Sequence, residues 1–143
     1  MRVDAEVIVP APPEDVWLVL LRWERQPEWM VDAVSVRVAS SHRAGVGARV
    51  EVRTRIVRVL HFTDVLEVTG WDPPRRLVMV RRGFVRGTGT WQLDPLPHGT
   101  RFAWIEEIRV PIPVIGELAL LPYRPIMRRL MRRSLGNLAT MLR

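Results

Sequence analysis

The chain has 143 residues, a net charge of +7, six tryptophans and no cysteine. This length fits one domain with one hydrophobic core, so we expect residues 1–143 to form a single domain. The lack of cysteine excludes disulfides, thiolate catalysis and cysteine-ligated metal sites. No apolar run approaches the roughly 20 residues that a spanning helix needs, and the N-terminal residues do not resemble a secretion signal, so we expect a cytoplasmic protein.

All 22 basic residues are arginine, which favours a coding bias over a dedicated basic surface. Arginines alternate on one strand (Arg49, Arg53, Arg55) and cluster near the C-terminus (Arg128, Arg129, Arg132, Arg133). A solvated exterior explains both groups, and an anionic membrane surface is the second candidate partner. Nucleic acid is not favoured, because few outward aromatic side chains accompany the arginines.

The first elements are a strand and two short helices. Residues 3–9 alternate between apolar and polar side chains, which predicts a strand. A helix should begin at Pro13 or Glu14, where proline and acidic side chains suit a first turn, and should bury Trp17. Pro27 would break a continuing helix, so we expect a second short helix after a bend.

Six further strands follow in succession. Alternation of period two covers residues 31–38, 48–57, 60–68, 76–80, 85–93 and 100–110. Their separators are short and rich in glycine and proline. Short links predict an antiparallel meander rather than parallel crossovers.

The last segment returns to helical spacing. Apolar residues recur every three or four positions over residues 115–142, and we expect a long amphipathic helix covering at least residues 126–140. Pro122 and Pro125 should delay its start, which makes residues 114–121 a separate turn or gate. The predicted fold class is therefore α+β, with a seven-stranded curved antiparallel sheet around a long C-terminal helix.

Several motifs along the chain carry a family resemblance: PPEDVW, WERQPEW, GWDPPRRL, WQLDPLPHGTRFAW and LGNLATML. With this element order, they resemble the START-like (SRPBCC) superfamily, and within it the polyketide cyclase/dehydrase-type proteins. The resemblance implies a helix-grip fold with an apolar cavity between sheet and helix. It implies binding of a small hydrophobic ligand, with either cyclase/dehydratase activity on a polyketide-like substrate or a non-catalytic role as a lipid or isoprenoid carrier, or as a protein that interacts with a lipid surface.

Strand alternation predicts which side chains face that cavity. Glu106 falls on the same face as Phe102 and Trp104, and Asp64 on the same face as Phe62. Carboxyl groups on apolar faces are candidates for proton transfer, so Asp64 and Glu106 are the candidate catalytic residues. The alternative is a structural ion pair with an arginine such as Arg53, Arg55 or Arg82.

The candidate ligand contacts are large apolar residues that border the expected cavity. In similar proteins the short helices close one end of the sheet, which would place Trp29 near the cavity rim, either as a plug or as a ligand contact. Gly87 and Gly89 stand beside the inward Trp91 and leave room either for strand curvature or for a ligand. The full candidate set is Trp29, Phe62, Trp91, Phe102, Trp104, Tyr123 and Met127.

No metal or cofactor is expected. His42 and His98 lie in turns and His61 has outward parity, so no histidine pair has the spacing of a helical metal site. No nucleophile motif or phosphate loop is present either. The sequence leaves open whether the protein is a monomer or a homodimer.

Overall fold

The computed structural model describes residues 1–57, 60–83, 85–110, 118 and 120–143. In this part of the chain seven strands form one antiparallel sheet: β1 (Arg2–Val9), β2 (Ala33–Val38), β3 (Arg49–Val57), β4 (Leu60–Asp72), β5 (Arg76–Arg82), β6 (Arg86–Leu96) and β7 (Gly99–Arg109). The helices are α1 (Pro13–Leu20), a 3-10 helix (Trp23–Glu28) and α2 (Tyr123–Met141). The strand order is β1-β7-β6-β5-β4-β3-β2, and the sheet curls around α2.

Burial patterns explain how the sheet and α2 pack. Along β7 every second residue from Thr100 to Ile108 is buried, as period-two alternation requires. On α2 the buried side chains include Met131, Leu135 and Leu138, spaced three or four residues apart. The inner face of the sheet and the apolar face of α2 therefore enclose the core, which confirms the predicted helix-grip architecture.

The two short helices pack against the sheet, the 3-10 helix on β2 and α1 on β6 and β7. In α1, Pro13 occupies the first turn and Glu14 and Asp15 lie near the helix N-terminus, where acidic side chains are favourable. Trp17 is buried, and its ring meets Trp71 edge to face with centroids 5.2 Å apart. This agrees with the packing role expected for Trp17.

The segment after α1 is tied to α2 by hydrogen bonds. The Trp29 carbonyl accepts a hydrogen bond from Asn137 Nδ2 at 3.2 Å, and the Val31 N–H donates to Ser134 Oγ at 3.0 Å. Because the Val31 N–H is held by α2, β2 begins at Ala33 rather than at residue 31. The turn from the 3-10 helix into β2 therefore lies against α2.

Three strands extend beyond their predicted ends: β4 to Asp72, β5 to Arg82 and β6 to Leu96. Strand β4 continues to Asp72, because an irregularity between Val68 and Gly70 shifts the register with β5 without ending the pairing. The predicted turn or gate at residues 114–121 falls mainly on residues outside the described part of the chain. Within the described residues, no helix combines the length and the apolar character needed to cross a membrane.

Candidate active site

A cavity of about 60 Å³ lies between the inner face of the sheet and α2. At roughly 10–15 Å³ per water, this volume holds a few water molecules. Strands β3 to β7, the segment after α1, and α2 all contribute side chains. The described lining residues are Gln26, Met30, Asp32, Val50, Val52, Thr54, Leu66, Leu77, Met79, Arg81, Gly89, Trp91, Trp104, Glu106, Met127, Leu130 and Met131.

Most of this lining is apolar and adaptable. Four of the lining residues are methionines: Met30, Met79, Met127 and Met131. Methionine has an unbranched side chain with several rotatable bonds, so it fills irregular space and rearranges readily. The cavity can therefore change shape around a ligand larger than its present volume.

Glu106 is the most deeply buried acid in the cavity, with 4% of its surface exposed. It shares the inner face of β7 with Trp104, whose indole Nε1–H donates to Glu106 Oε1 at 2.9 Å. Burial raises the pKa of the Glu106 carboxyl, and the nearby Arg81 guanidinium and the Trp104 hydrogen bond partly oppose that rise. The group is thereby suited to hold or release a proton.

A glycine on the neighbouring strand makes space for this carboxyl group. Gly89 of β6 is the register partner of Glu106. A Cβ at position 89 would lie 2.8 Å from Glu106 Oε1, closer than real Cβ contacts allow. Gly87, in contrast, has a positive φ of 150° and lies against the Glu107 backbone. The backbone conformation and the close approach of the neighbouring strand therefore require glycine at this position.

Asp64 and Arg81 form the second polar pair. Arg81 Nη1 lies 3.5 Å from Asp64 Oδ2, and both side chains are mostly buried. Burial raises the pKa of Asp64, and the Arg81 charge opposes this. Asp64 does not itself line the cavity in the described part of the chain, so it influences the site through its contact with Arg81.

The arginine that pairs with a buried acid is Arg81, and not one of the predicted candidates Arg53, Arg55 and Arg82. Arg82 bonds to Glu67 at 2.9 Å on the exposed face, and Arg53 and Arg55 are exposed. Successive residues of β5 point to opposite faces, so Arg81 and not Arg82 follows Leu77 and Met79 inward. Continuing that alternation by one residue beyond the predicted strand would have identified Arg81.

Asp32 is a cavity residue that the sequence analysis missed. It lies between the 3-10 helix and β2, where no periodicity indicates a direction. Burial raises the pKa of its carboxyl, while its own backbone N–H and the Arg81 charge lower it. Tyr123 stands in the same electrostatic environment, since its pKa is raised by burial and then by Asp32.

The structure brings only some of the candidate site residues together. Trp91, Trp104, Met127 and Glu106 line the cavity, whereas the other candidates do not contribute to its described lining. Phe102 is fully buried, and its ring centroid lies 6.2 Å from that of the lining residue Trp91. Phe62 and Tyr123 are half-buried.

Trp29 lies deeper than the rim position expected for it. It is 1% exposed, and its ring centroid is 6.0 Å from that of Trp91 and 6.4 Å from that of Trp104. Its Nε1–H is buried without a hydrogen-bond partner among the described residues. Trp29 thus packs against the rings of the two lining tryptophans.

The donor types present do not suggest a metal centre. Among the described residues, no three or more histidine or acidic side chains are grouped so that they could hold an ion. Asp32, Asp64 and Glu106 instead face a guanidinium, which is itself a positive charge. These groups can form hydrogen bonds and exchange protons.

The fold is shared with many solved structures. A Thermus thermophilus protein matches with a TM-score of 0.83 and 23% identity, over 99% of this chain and 97% of that one. An aromatase/cyclase from a Streptomyces species matches with a TM-score of 0.74 and 17% identity, over 99% and 93%. A START superfamily protein from Mycobacterium smegmatis matches with a TM-score of 0.71 and 17% identity, over 97% and 92%.

At these identities the structural matches show the fold and leave the activity open. No curated protein matches the sequence. The family described as polyketide cyclase / dehydrase and lipid transport matches residues 1–143, so the chain belongs to that family.

Proposed function

We propose that the protein binds a small apolar molecule in the cavity and catalyses proton transfer on it, in the cyclisation or dehydration of a polyketide-like carbonyl compound. One observation carries this proposal: Asp32, Arg81 and Glu106 converge in a cavity that is otherwise mostly apolar. A carrier needs one polar group to orient its cargo, whereas proton transfer between two positions needs at least two.

Arg81 is suited to bind the carbonyl oxygen of the substrate. Its guanidinium carries several N–H donors, and the hydrogen bond to Asp64 is long, at 3.5 Å. Negative charge that develops on the oxygen during enolisation would be stabilised by this fixed cation in a mostly apolar surrounding. In this arrangement Asp64 is a positioning residue that holds Arg81.

Glu106 and Asp32 supply a pair of proton carriers. In a dehydration, a carboxylate takes the proton from the carbon next to the carbonyl, and the electron pair of that C–H bond forms the C=C bond. The neighbouring C–O bond breaks, and the leaving hydroxide takes a proton from the second carboxyl group as water. The raised pKa values of Glu106 and Asp32 suit groups that alternate between the two states.

The apolar walls would hold the substrate in its reactive shape. Trp91 and Trp104 present flat aromatic surfaces to the cavity, and methionines complete the lining. Such surfaces favour aromatic or extended conjugated molecules. We accordingly propose residues 1–143 as one ligand-binding domain.

The alternative is a non-catalytic carrier of a lipid or isoprenoid, and lipid transport is part of the family description. A role at a lipid surface would use the exposed apolar side chains Leu118, Leu121 and Ile126 near the start of α2. In both of these roles, the bound molecule would be released without chemical change.

A dehydration assay separates these functions. The probe is 4-hydroxy-4-phenylbutan-2-one, whose loss of water gives a conjugated enone that is followed by ultraviolet absorbance. The protein should accelerate this reaction at least about 100-fold more than its Glu106→Gln variant, which removes a general acid–base. The control is Glu67→Gln, which makes the same change outside the cavity and should retain the full rate.

Binding of the probe without acceleration by any of the three proteins would favour the carrier. Mass spectrometry of small molecules that remain bound through native purification then identifies the cargo. A molecule recovered unchanged after incubation would complete the case against catalysis.

A further inference from the structure

We propose that the cavity selects molecules whose polar end is uncharged and excludes molecules that end in a free carboxylate. This inference rests on the proposed binding function and narrows its ligand class. Polyketide-like ketones, phenols and alcohols satisfy the condition, whereas fatty acids and aryl carboxylates do not.

The first ground is the balance of charges around the cavity. Three carboxyl groups act on the site: Asp32 from the turn before β2, Asp64 from β4 and Glu106 from β7. A single guanidinium, that of Arg81 on β5, is the positive group that acts on all three among the described residues. Tyr123 of α2, the other titratable group facing Asp32, adds no positive charge.

The second ground is that Arg81 is already partly engaged. Its Nη1 lies 3.5 Å from Asp64 Oδ2, and the two side chains are 17% and 9% exposed. A spare positive charge for a ligand anion would exist only if all three carboxyl groups were protonated together. Otherwise an entering carboxylate meets at least as much negative as positive charge, in a site with little water to screen it.

The third ground is hydrogen-bonding capacity. Glu106 Oε1 accepts a hydrogen bond from Trp104, but Oε2 accepts none within the described part of the chain. An ionised ligand carboxylate has no proton to donate to this oxygen and adds a negative charge next to it, whereas a ketone adds no charge. A hydroxyl or amide group donates to Glu106 and still accepts from Arg81.

The positive net charge of the protein would act in the opposite direction to the cavity, by attracting carboxylates to the protein. A net charge of +7 attracts anions to the surface. That attraction is largely screened at physiological salt, because the Debye length is then about 8 Å. Rejection of a carboxylate measured at this salt concentration is therefore a property of the cavity.

The test compares two molecules of nearly equal shape, 2-naphthamide and 2-naphthoate, by equilibrium dialysis at pH 8 and 150 mM salt. We expect the amide to bind at least about tenfold more tightly. Replacing Asp32 with Asn or Glu106 with Gln should lower the ratio of amide affinity to naphthoate affinity, because naphthoate gains most from the lost negative charge. Each variant is measured on its own, so a folding defect in one leaves the other informative.

Glu67→Gln is the matched control, because it removes one negative charge on the exposed face. It should leave the ratio of the two affinities unchanged. Naphthoate binding as tight as the amide in the parent protein would overturn the selectivity while leaving apolar binding intact. Failure of both molecules to bind would overturn the proposed binding function itself, and the selectivity with it.

Discussion

Gly89 provides the space that the carboxyl group of Glu106 occupies. The two residues are register partners on β6 and β7, and a Cβ at position 89 would lie 2.8 Å from Glu106 Oε1. Gly83 stands in a similar relation to Asp64, where an added Cβ would lie 2.8 Å from Oδ1. Each of these inner-face acids thus has a glycine against its carboxyl group.

A double-mutant cycle tests the Gly89–Glu106 contact. Gly89→Ala should destabilise the protein by about 1–2 kcal/mol, because the added methyl group displaces a side chain from a packed site. In a Glu106→Ala background the same change should cost little, since the displaced group is gone. Chemical denaturation of the four proteins gives the coupling energy, and a coupling near zero would show that the two positions are independent.

Glu106→Gln should make stability less dependent on pH. Burial raises the pKa of Glu106 above its ordinary value of 4.5, so the folded protein retains a proton that the unfolded chain releases. The stability associated with the neutral form is therefore lost as pH rises from 4.5 towards the folded-state pKa. Relative to the parent, the variant should gain stability over that interval and keep the gain at higher pH. Thermal melts between pH 4 and pH 8 measure the difference, and a difference that does not change with pH would contradict the assignment.

Arg81→Met should destabilise the protein more at pH 8 than at pH 5. The guanidinium lowers the pKa values of Asp32, Asp64 and Glu106, so its removal raises all three pKa values further. The stability that is lost as these groups ionise is then larger, and the loss continues to higher pH. We expect a cost of about 2 kcal/mol or more at pH 8 from uncompensated buried charge.

Arg82→Met is the matched control for Arg81→Met. Its side chain is 65% exposed and pairs with Glu67, so its loss should cost less than about 1 kcal/mol at either pH. Equal effects of the two substitutions would show that Arg81 is not the counter-charge of the cavity.

Ser134→Ala should loosen the attachment of α2 to the segment before β2. Ser134 Oγ accepts from the Val31 N–H at 3.0 Å and donates to the Leu130 carbonyl at 2.8 Å. Removing the hydroxyl leaves the Val31 N–H without its partner and should cost about 1–3 kcal/mol in denaturation experiments. Thr140→Ala removes only a hydroxyl that donates to the Gly136 carbonyl on the exposed face, and should change stability by less than about 0.5 kcal/mol.

Periodicity in the sequence predicted the elements and the faces of the strands. The change from period two to helical spacing identified the seven strands and the C-terminal helix, which the structure confirms. Parity also predicted that Asp64, Trp104 and Glu106 face inward, and all three are buried. These predictions succeed because alternation is a local property of the backbone and requires no knowledge of neighbouring strands.

Only the tertiary structure decided which charged groups meet. Arg81 pairs with Asp64 because β4 and β5 are adjacent with their inner faces aligned, and periodicity gives a face without a distance. Asp32 reaches the cavity from a turn where hydrogen bonding to α2 sets the chain path. Trp29 packs against Trp91 and Trp104, which belong to two different strands, because the segment after the 3-10 helix lies against the sheet. The sequence alone thus determined which side chains face inward, while strand adjacency and the path of one turn decided which of them act on the same cavity.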